Sequence, residues 1–334
     1  MRGSKFLNLG ADPFNEEVPI VIVAEEVSKF YGERRALNLV SFKIGAGEVA
    51  GFLGLNGAGK TTLLKILCGL LLPSTGRVQI DGIDVLDQPR EVRRRIGFLP
   101  EQPPVYGDLT VRQMIRYAGQ LNGLTGGEVD RRVDEVIAAT ELASVENDLV
   151  AWLSQGYRQR LGIAQAIVHR PALVILDEPI TGLDPKQIVG MRGLIRGLAE
   201  HHTVLVSSHI LGEIHQTCDR ILVLHQGRLI AQGTEAELTT QATGRVQVVA
   251  RGAIEVVQQT AIKTKGVSKV EIEQSGDDVV TLLAVVDGLA GREALVSALV
   301  GAGVGVRRVT EVEAGLEAVF LRLTGSSAAH AGVS

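Results

Sequence analysis

Short apolar and polar blocks alternate along the first two-thirds of the chain, and they predict strands interleaved with helices. Runs rich in β-branched and aliphatic residues predict strands at residues 21–27, 36–44, 49–53, 77–80, 96–99, 173–176, 203–207 and 221–224. Apolar periodicity predicts helices at residues 60–70, 88–95 and 186–200. This alternation indicates an α/β domain with parallel strands at its centre.

The pattern becomes wholly helical between residues 110 and 169. Three helices are predicted there, at residues 111–121, 128–140 and 156–168, with no strand between them. We therefore expect a helical subdomain, at about residues 101–169, inserted into the α/β core.

A second pattern follows residue 240. It is strand (246–250), helix (254–263), strand (270–273), strand (279–286), helix (292–300) and strand (304–309), which is the order of a small ferredoxin-like α/β sandwich. A last helix is predicted at residues 315–323. The predicted organisation is a polar tail (1–19), an α/β domain (20–240), a small α/β domain (241–325) and a second tail (326–334). The small domain has no cluster of chemistry-bearing residues, so we expect it to perform no catalysis.

Composition narrows the range of functions. The 334 residues, 45% of them hydrophobic, suit two domains with real cores. A net charge of −4 gives no electrostatic basis for binding nucleic acid. The two cysteines, Cys68 and Cys218, indicate a reducing compartment rather than a disulfide framework or a zinc site. No window has the length and apolarity of a membrane span, and the N-terminus lacks the apolar run of a signal peptide.

The stretch from residue 54 to residue 61 matches the spacing of a phosphate-binding loop between a strand and a helix. Its glycines let successive backbone N–H groups face a phosphate, and the helix N-terminus that follows favours an anion. Lys60 supplies a positive charge for the β- and γ-phosphates, and Thr61 offers a hydroxyl to Mg²⁺. The chain is thus predicted to bind a nucleoside triphosphate. The predicted loop residues are Gly54, Leu55, Asn56, Gly57, Ala58, Gly59, Lys60, Thr61 and Thr62.

Two carboxylates, Asp177 and Glu178, end a strongly apolar strand. Ligands of open α/β sheets lie at the carboxyl ends of the strands. We expect Asp177 to hold Mg²⁺ through water and Glu178 to orient the water that attacks the γ-phosphate. His209 follows another predicted strand and can reach the same water.

In this order, these residues resemble the ATP-binding subunit of an ABC transporter over residues of about 20 to 240. The resemblance also includes Tyr31, Leu153-Ser-Gln-Gly156, Gly182-Leu-Asp-Pro185 and Ser207-Ser-His209. It implies that Tyr31 stacks on adenine, that Asp184 lies in a dimer-contact loop, and that His209 acts as a switch. Ser154, Gln155 and Gly156 would form an anion site at a helix N-terminus that grips the γ-phosphate of a second copy of the chain. ATP would then join two copies, most simply as a homodimer.

Two motifs depart from the family pattern. The second glycine and the final glutamine of the signature are replaced by Gln155 and Tyr157, while Ser154 and Gly156 remain. The glutamine expected after Pro100 is replaced by Glu101, with Gln102 next to it. Either Glu101 or Gln102 could serve Mg²⁺ or sense the γ-phosphate.

The segment at residues 315–325 resembles the closing helix of exporter-type ATPases, closest to the gliding-motility and multidrug branch. The resemblance implies ATP hydrolysis coupled to a separate integral membrane permease, with the chain cytoplasmic and peripheral on the inner face of the membrane. The alternative is a soluble ABC ATPase acting on ribosomes or DNA. It is disfavoured because there is one phosphate loop, and because the interval between Thr61 and Leu173 is too short for a long coiled coil. The transported substrate is not encoded in these motifs.

Overall fold

The computed structural model describes residues 19–242, 245–275 and 279–311. The chain divides into two compact units between Gln232 and Gly233. The domain limit predicted from the sequence lies after residue 240, so helix α8 (Glu235–Ala242) is grouped with the second unit instead of the first. Within the described ranges, no helix combines the length and apolarity needed to cross a bilayer.

A four-stranded antiparallel sheet with the order β2-β1-β4-β5 forms one layer of the first unit. Asp81 and Gly82, with φ of 50° and 74°, make the tight turn between its last two strands. Paired positive φ values suit such hairpin turns, because their twist matches that of the flanking strands. The strands are β1 (Ile20–Tyr31), β2 (Arg34–Gly45), β4 (Thr75–Ile80) and β5 (Ile83–Asp84).

The second layer is a six-stranded sheet with the order β10-β9-β3-β8-β7-β6, in which β9, β3, β8, β7 and β6 are parallel. Its central strands are buried at every position, as expected for a parallel sheet covered on both faces. The predicted parallel centre is thus confirmed. The strands are β3 (Val49–Leu53), β6 (Ile96–Leu99), β7 (Leu173–Asp177), β8 (Thr203–Ser208), β9 (Arg220–His225) and β10 (Arg228–Gly233).

Helix α1 (Lys60–Leu67) contributes to the main hydrophobic core together with residues of both sheets. Within this core, the rings of Phe42 and Phe52 meet edge to face, with centroids 5.2 Å apart. The elements described between residues 101 and 169 are helical, as predicted: α3 (Val111–Leu121), α4 (Gly126–Ala139), α5 (Gln155–Ile167) and two short 3-10 helices at Ala143–Val145 and Val150–Trp152. The other α-helices described in the unit are α2 (Pro89–Arg94), α6 (Pro185–Leu198) and α7 (Leu211–Thr217).

The second unit contains a four-stranded antiparallel sheet with the order β12-β13-β11-β14. Its βαββαβ sequence of elements and this strand order are those of a ferredoxin-like sandwich, as predicted. Strand β13 alternates between half-buried and buried residues, which places one face of the sheet in an apolar core. The predicted helix at residues 315–323 lies outside the described residues. The elements are β11 (Arg245–Arg251), α9 (Ile254–Lys263), β12 (Val267–Ser275), β13 (Val279–Val286), α10 (Gly288–Gly301) and β14 (Gly305–Glu311).

Candidate active site

The loop between β3 and α1 is packed so closely that only glycine fits at two of its positions. A Cβ on Gly54 would lie 2.5 Å from the carbonyl oxygen of Leu224, and one on Gly59 would lie 2.7 Å from that of Ala36. Gly59 also has a φ of 108°, a conformation that side-chain-bearing residues rarely adopt. The neighbouring strands β2 and β9 therefore fix the shape of the loop.

Lys60, the first residue of α1, is turned back across this loop. Its Nζ donates to the carbonyl oxygen of Gly54 at 2.7 Å and lies 3.3 Å from Oε1 of Glu178. Both side chains of this ion pair are at least nine-tenths buried. The lysine charge is thereby held at the N-terminus of α1, where the helix dipole already favours an anion.

Glu178 is held in a strained backbone conformation directly after β7. Its φ of 52° is left-handed, which for a residue other than glycine costs on the order of 1–3 kcal/mol. Its N–H donates to Oγ of Ser207 at 3.1 Å, and the same hydroxyl donates to Oδ1 of Asp177 at 2.5 Å. Ser207 thus links the carboxylate of Asp177 to the backbone of Glu178, through the register that pairs Asp177 with Ser207 in neighbouring strands. Strain of this kind concentrates at functional sites.

Two further groups contact the carboxylate of Glu178. Nδ1 of His209 lies 2.9 Å from Oε2, and the hydroxyl of Thr181 donates to the same oxygen at 3.2 Å. An ionised carboxylate only accepts hydrogen bonds, so Nδ1 of His209 is the donor in this contact. The predicted pair of Glu178 and His209 is therefore in direct contact.

A second buried carboxylate stabilises the segment that carries His209. Ser208 Oγ donates a short hydrogen bond to Oε2 of Glu213 and accepts one from the N–H of Ile210 at 3.1 Å. Burial raises the pKa of Glu213, while the hydrogen bond from Ser208 opposes that rise. Sequence analysis did not identify Glu213. The sequence signal that could have identified Glu213 is its position four residues after His209, on the first turn of a short helix.

These groups open into a cleft of about 630 Å³. Of the predicted residues, the cleft is lined by Tyr31, Leu55, Asn56, Gly57, Gly59, Lys60, Thr61, Thr62, Glu101, Glu178 and His209. The remaining predicted residues do not line it; they are Gly54, Ala58, Gln102, Asp177, Ser154, Gln155, Gly156 and Asp184. The lining residues that sequence analysis missed are Arg34, Arg35, Ala36, Thr181, Gln226 and Gly227.

The predicted signature residues lie elsewhere on the same unit. Ser154 is the N-cap of α5, where its side chain accepts from the N–H of Tyr157 at 3.4 Å. Asp184 caps α6 in the same way, accepting from the N–H of Gln187 at 2.9 Å. The two helices meet closely, because a Cβ on Gly156 would lie 2.9 Å from the side chain of Gln187. The structure does not bring Ser154 or Gly156 to the cleft of their own chain.

The cleft offers donors of the kind that Mg²⁺ prefers. Thr61 presents a hydroxyl and Glu101 a carboxylate, both on the cleft wall. Asp177 lies behind the wall at 2% exposure, while Gln102 is exposed outside the lining residues. Mg²⁺ keeps several waters and binds one or two protein oxygens together with substrate phosphates. Hydroxyl and carboxylate oxygens beside a phosphate loop fit that requirement.

A phosphate loop, a lysine over it and a carboxylate–histidine pair at adjacent strand ends define a phosphate-loop ATPase. Comparisons identify the family. The ABC transporter family matches residues 37–181. Daunorubicin resistance ATP-binding protein DrrA3 of Streptomyces coeruleorubidus is 35% identical over 306 residues, covering 91% of this chain and 96% of that protein. Bacitracin transport ATP-binding protein BcrA of Bacillus licheniformis is 38% identical over 214 residues, covering 64% of this chain and 69% of BcrA.

Solved structures with a similar fold point to the same family. The ATP-binding subunit of an ABC transporter has a TM-score of 0.61 at 32% identity, covering 66% of this chain and 93% of that one. A dimeric ATP-binding cassette in a post-hydrolysis state with ADP and phosphate has a TM-score of 0.59 at 28% identity, covering 64% and 98%. The chain belongs to the family of ABC transporter ATP-binding proteins, and it binds and hydrolyses ATP.

Proposed function

We propose that this ATPase drives a separate integral membrane permease, in export, from the cytoplasmic face of the membrane. Support comes from relatives whose names connect them with bacitracin transport and with daunorubicin resistance. The observation that carries the catalytic part is the buried carboxylate of Glu178, which lies between Lys60, Thr181 and His209. The permease selects the cargo, and this chain supplies the ATP-dependent step.

In the proposed mechanism, Glu178 orients the attacking water and His209 fixes the carboxylate through Nδ1 while Nε2 faces the reacting phosphate. Lys60 binds the β- and γ-phosphates, and the loop N–H groups share that charge. Thr61 and Glu101, with Asp177 through water, would hold Mg²⁺, whose chemistry would be to neutralise charge on the phosphates. Tyr31 stacks on the adenine ring.

We also propose that turnover requires two copies of the chain. Ser154 and Gly156 lie outside the cleft of their own chain, at the N-terminus of a helix suited to an anion. A second copy would bring this site to the γ-phosphate, with Asp184 at the contact between copies. The dimeric state of the ADP-bound neighbour is consistent with this arrangement.

Mixing two inactive variants tests the shared site. In a dimer of one Lys60→Ala chain and one Ser154→Arg chain, one site carries both defects and the other carries none, so we expect ATP hydrolysis to return. In a dimer of Lys60→Ala and Glu178→Gln chains each site carries one substituted residue, so this matched mixture should stay inactive. Equal activity in the two mixtures, or full turnover by a species shown to be monomeric, would rule out the shared site.

The permease contact is proposed on the helical subdomain near residues 101–110. Two backbone hydrogen bonds, Val150 to Leu109 and Ala151 to Gly107, join that loop to the 3-10 helix that ends at Trp152. Tyr106 is 57% exposed and Trp152 is 75% exposed, so two large aromatic side chains are available on this surface. Aromatic side chains dominate the energetics of protein interfaces.

Charge reversal along α3 is a poor test of this contact, because Arg112 pairs with Asp134 and Glu146, and Arg116 pairs with Asp130. The substitutions Tyr106→Ala and Trp152→Ala are better tests of this contact. We expect both to reduce copurification with the permease from detergent extract and to lower transport, with basal ATP hydrolysis retained. Leu39→Ala, at an exposed position on the antiparallel sheet, is the control. Undiminished transport in both aromatic variants would place the contact elsewhere.

A further inference from the structure

Arg34 is a cleft residue that the family motifs do not include. It begins strand β2 and is the register partner of Tyr31, across the two-residue turn formed by Gly32 and Glu33. Directly opposed residues of an antiparallel pair project from the same face with neighbouring Cβ atoms. Arg34 and Tyr31 both line the cleft, so the arginine lies at the end of the cleft that holds the aromatic residue.

Among the described residues, Arg34 has no ion-pair or hydrogen-bond partner for its side chain. The other arginine and the lysine of the cleft are engaged. Arg35 donates from Nη1 to Oδ1 of Asn38 at 2.9 Å and lies 5.0 Å from the ring centroid of Phe30, while Lys60 is paired with Glu178. Arg34 is therefore the cation of this wall that remains available to a ligand.

The strand that carries Arg34 is fixed relative to the phosphate loop. The N–H of Asn38 donates to the carbonyl oxygen of Gly227 at 2.8 Å, and the N–H of Gly227 donates to that of Ala58 at 2.9 Å. A Cβ on Gly227 would lie 2.5 Å from the carbonyl oxygen of Ala36. These contacts connect β2 to the loop through one tight turn, so the position of Arg34 relative to Lys60 is set by backbone packing.

We propose that Arg34 binds the α-phosphate of the nucleotide. This inference rests on the proposed orientation, with the base at Tyr31 and the β- and γ-phosphates at Lys60. The α-phosphate joins the nucleoside to the β-phosphate, so in that orientation it lies between Tyr31 and Lys60, in the cleft that Arg34 also lines. Arginine suits such a group because its planar fork of N–H donors matches two phosphate oxygens.

The test compares ADP with pyrophosphate, by competition against a fluorescent ADP analogue. Pyrophosphate reaches the Lys60 end of the loop but has no α-phosphate attached to a nucleoside. Arg34→Ala should weaken ADP binding about tenfold and leave pyrophosphate binding within a factor of about two. Arg34→Lys should fall between wild type and Arg34→Ala, since an ammonium retains the charge and loses the fork. Arg90→Ala, which removes the same charge from an exposed position of α2, should bind both ligands as wild type does.

Two results would overturn the proposal: ADP affinity within twofold of wild type in Arg34→Ala, or equal losses for ADP and pyrophosphate, which would indicate a diffuse charge effect. Retained pyrophosphate binding also shows that the variant's loop is intact. The variants Lys60→Ala and Tyr31→Ala separately test the proposed orientation of the nucleotide in the cleft. Lys60→Ala should remove binding of both ligands, and Tyr31→Ala should weaken ADP alone. If Tyr31→Ala leaves ADP unaffected while Arg34→Ala does not, the base position is wrong and the Arg34 contact stands.

Discussion

The two units of this protein bury different kinds of residues. Every polar or charged residue described as buried lies in the first unit, where the set includes Lys60, Asp177, Glu178 and Glu213. The second unit has an apolar core formed by residues such as Val248, Leu282 and Leu299. Burying a charge is costly unless it is paired or hydrogen-bonded. Burying these groups lowers the stability of the first unit, and we relate this loss to its chemistry. The described residues of the second unit include no such buried polar or charged group.

The sharpest test of this comparison is Glu178→Gln. We expect ATP hydrolysis to fall by about 100- to 10,000-fold, because the amide cannot act as a base toward water. ATP binding should persist, since the contacts of Lys60 with the phosphates remain. Steady-state phosphate release and nucleotide affinity measure the two effects, and a longer-lived ATP-bound dimer should appear in size-exclusion chromatography. Glu200→Gln, at an exposed position of the same unit, is the control. Unchanged hydrolysis in Glu178→Gln would remove this residue from catalysis.

In the second unit, the largest expected effect is on stability. Leu282→Ala removes a fully buried side chain from β13 and should destabilise this unit by about 2 to 5 kcal/mol. Hydrogen exchange in peptides from β11 and β13 reports the loss, and ADP affinity should stay at the wild-type value. Thr281→Ala, at the half-buried neighbouring position, should cost much less. A loss of ADP affinity in folded Leu282→Ala protein would show that the second unit contributes to the nucleotide site.

Much of this division could be predicted from the sequence. The loop glycines, Lys60 and the acidic end of β7 are local patterns with few structural alternatives, and the β-branched and aliphatic run of β13 is equally direct. Helix α7 was missed because it is only seven residues long and contains Gly212. Strand β10 was missed because it is an edge strand with few buried residues. The left-handed backbone of Glu178 and the exposure of Arg34 to the cleft depend on contacts between distant segments, so local patterns do not reveal them.

Buried acids should also make the stability of the first unit sensitive to pH. Burial raises the pKa of Glu213 above its ordinary value of 4.5. Its contribution to stability is therefore complete below pH 4.5 and is lost as the pH rises through the native pKa. Glu213→Gln should lack that loss, so its stability relative to wild type should increase from pH 4.5 upward in denaturant titrations. The control is Glu128→Gln, at an exposed position of α4. A pH-independent difference between Glu213→Gln and wild type would contradict this account.

The smallest effect is a gain of stability in the second unit. Ala253 is the N-cap of α9, with an extended backbone and no side-chain hydrogen bond. In the variant Ala253→Asp, the aspartate side chain can accept hydrogen bonds from the N–H groups of the first turn. This variant should stabilise the unit by about 1 kcal/mol. Ala253→Val, which has no acceptor, should give no gain. Hydrogen exchange of α9 measures the change, and ATP hydrolysis should be the same in all three proteins.

The salt bridge between Lys60 and Glu178 also affects which anions can bind in the cleft. An anion that approaches Lys60 must compete with a carboxylate that is already 3.3 Å away and shielded from solvent. Chloride offers the ammonium no more charge than Glu178 does, and it brings no second contact to the loop. A polyphosphate brings several charges and satisfies the loop N–H groups at the same time. We therefore expect the pair to disfavour small monovalent anions relative to polyphosphates, through the same residue that we propose orients the attacking water.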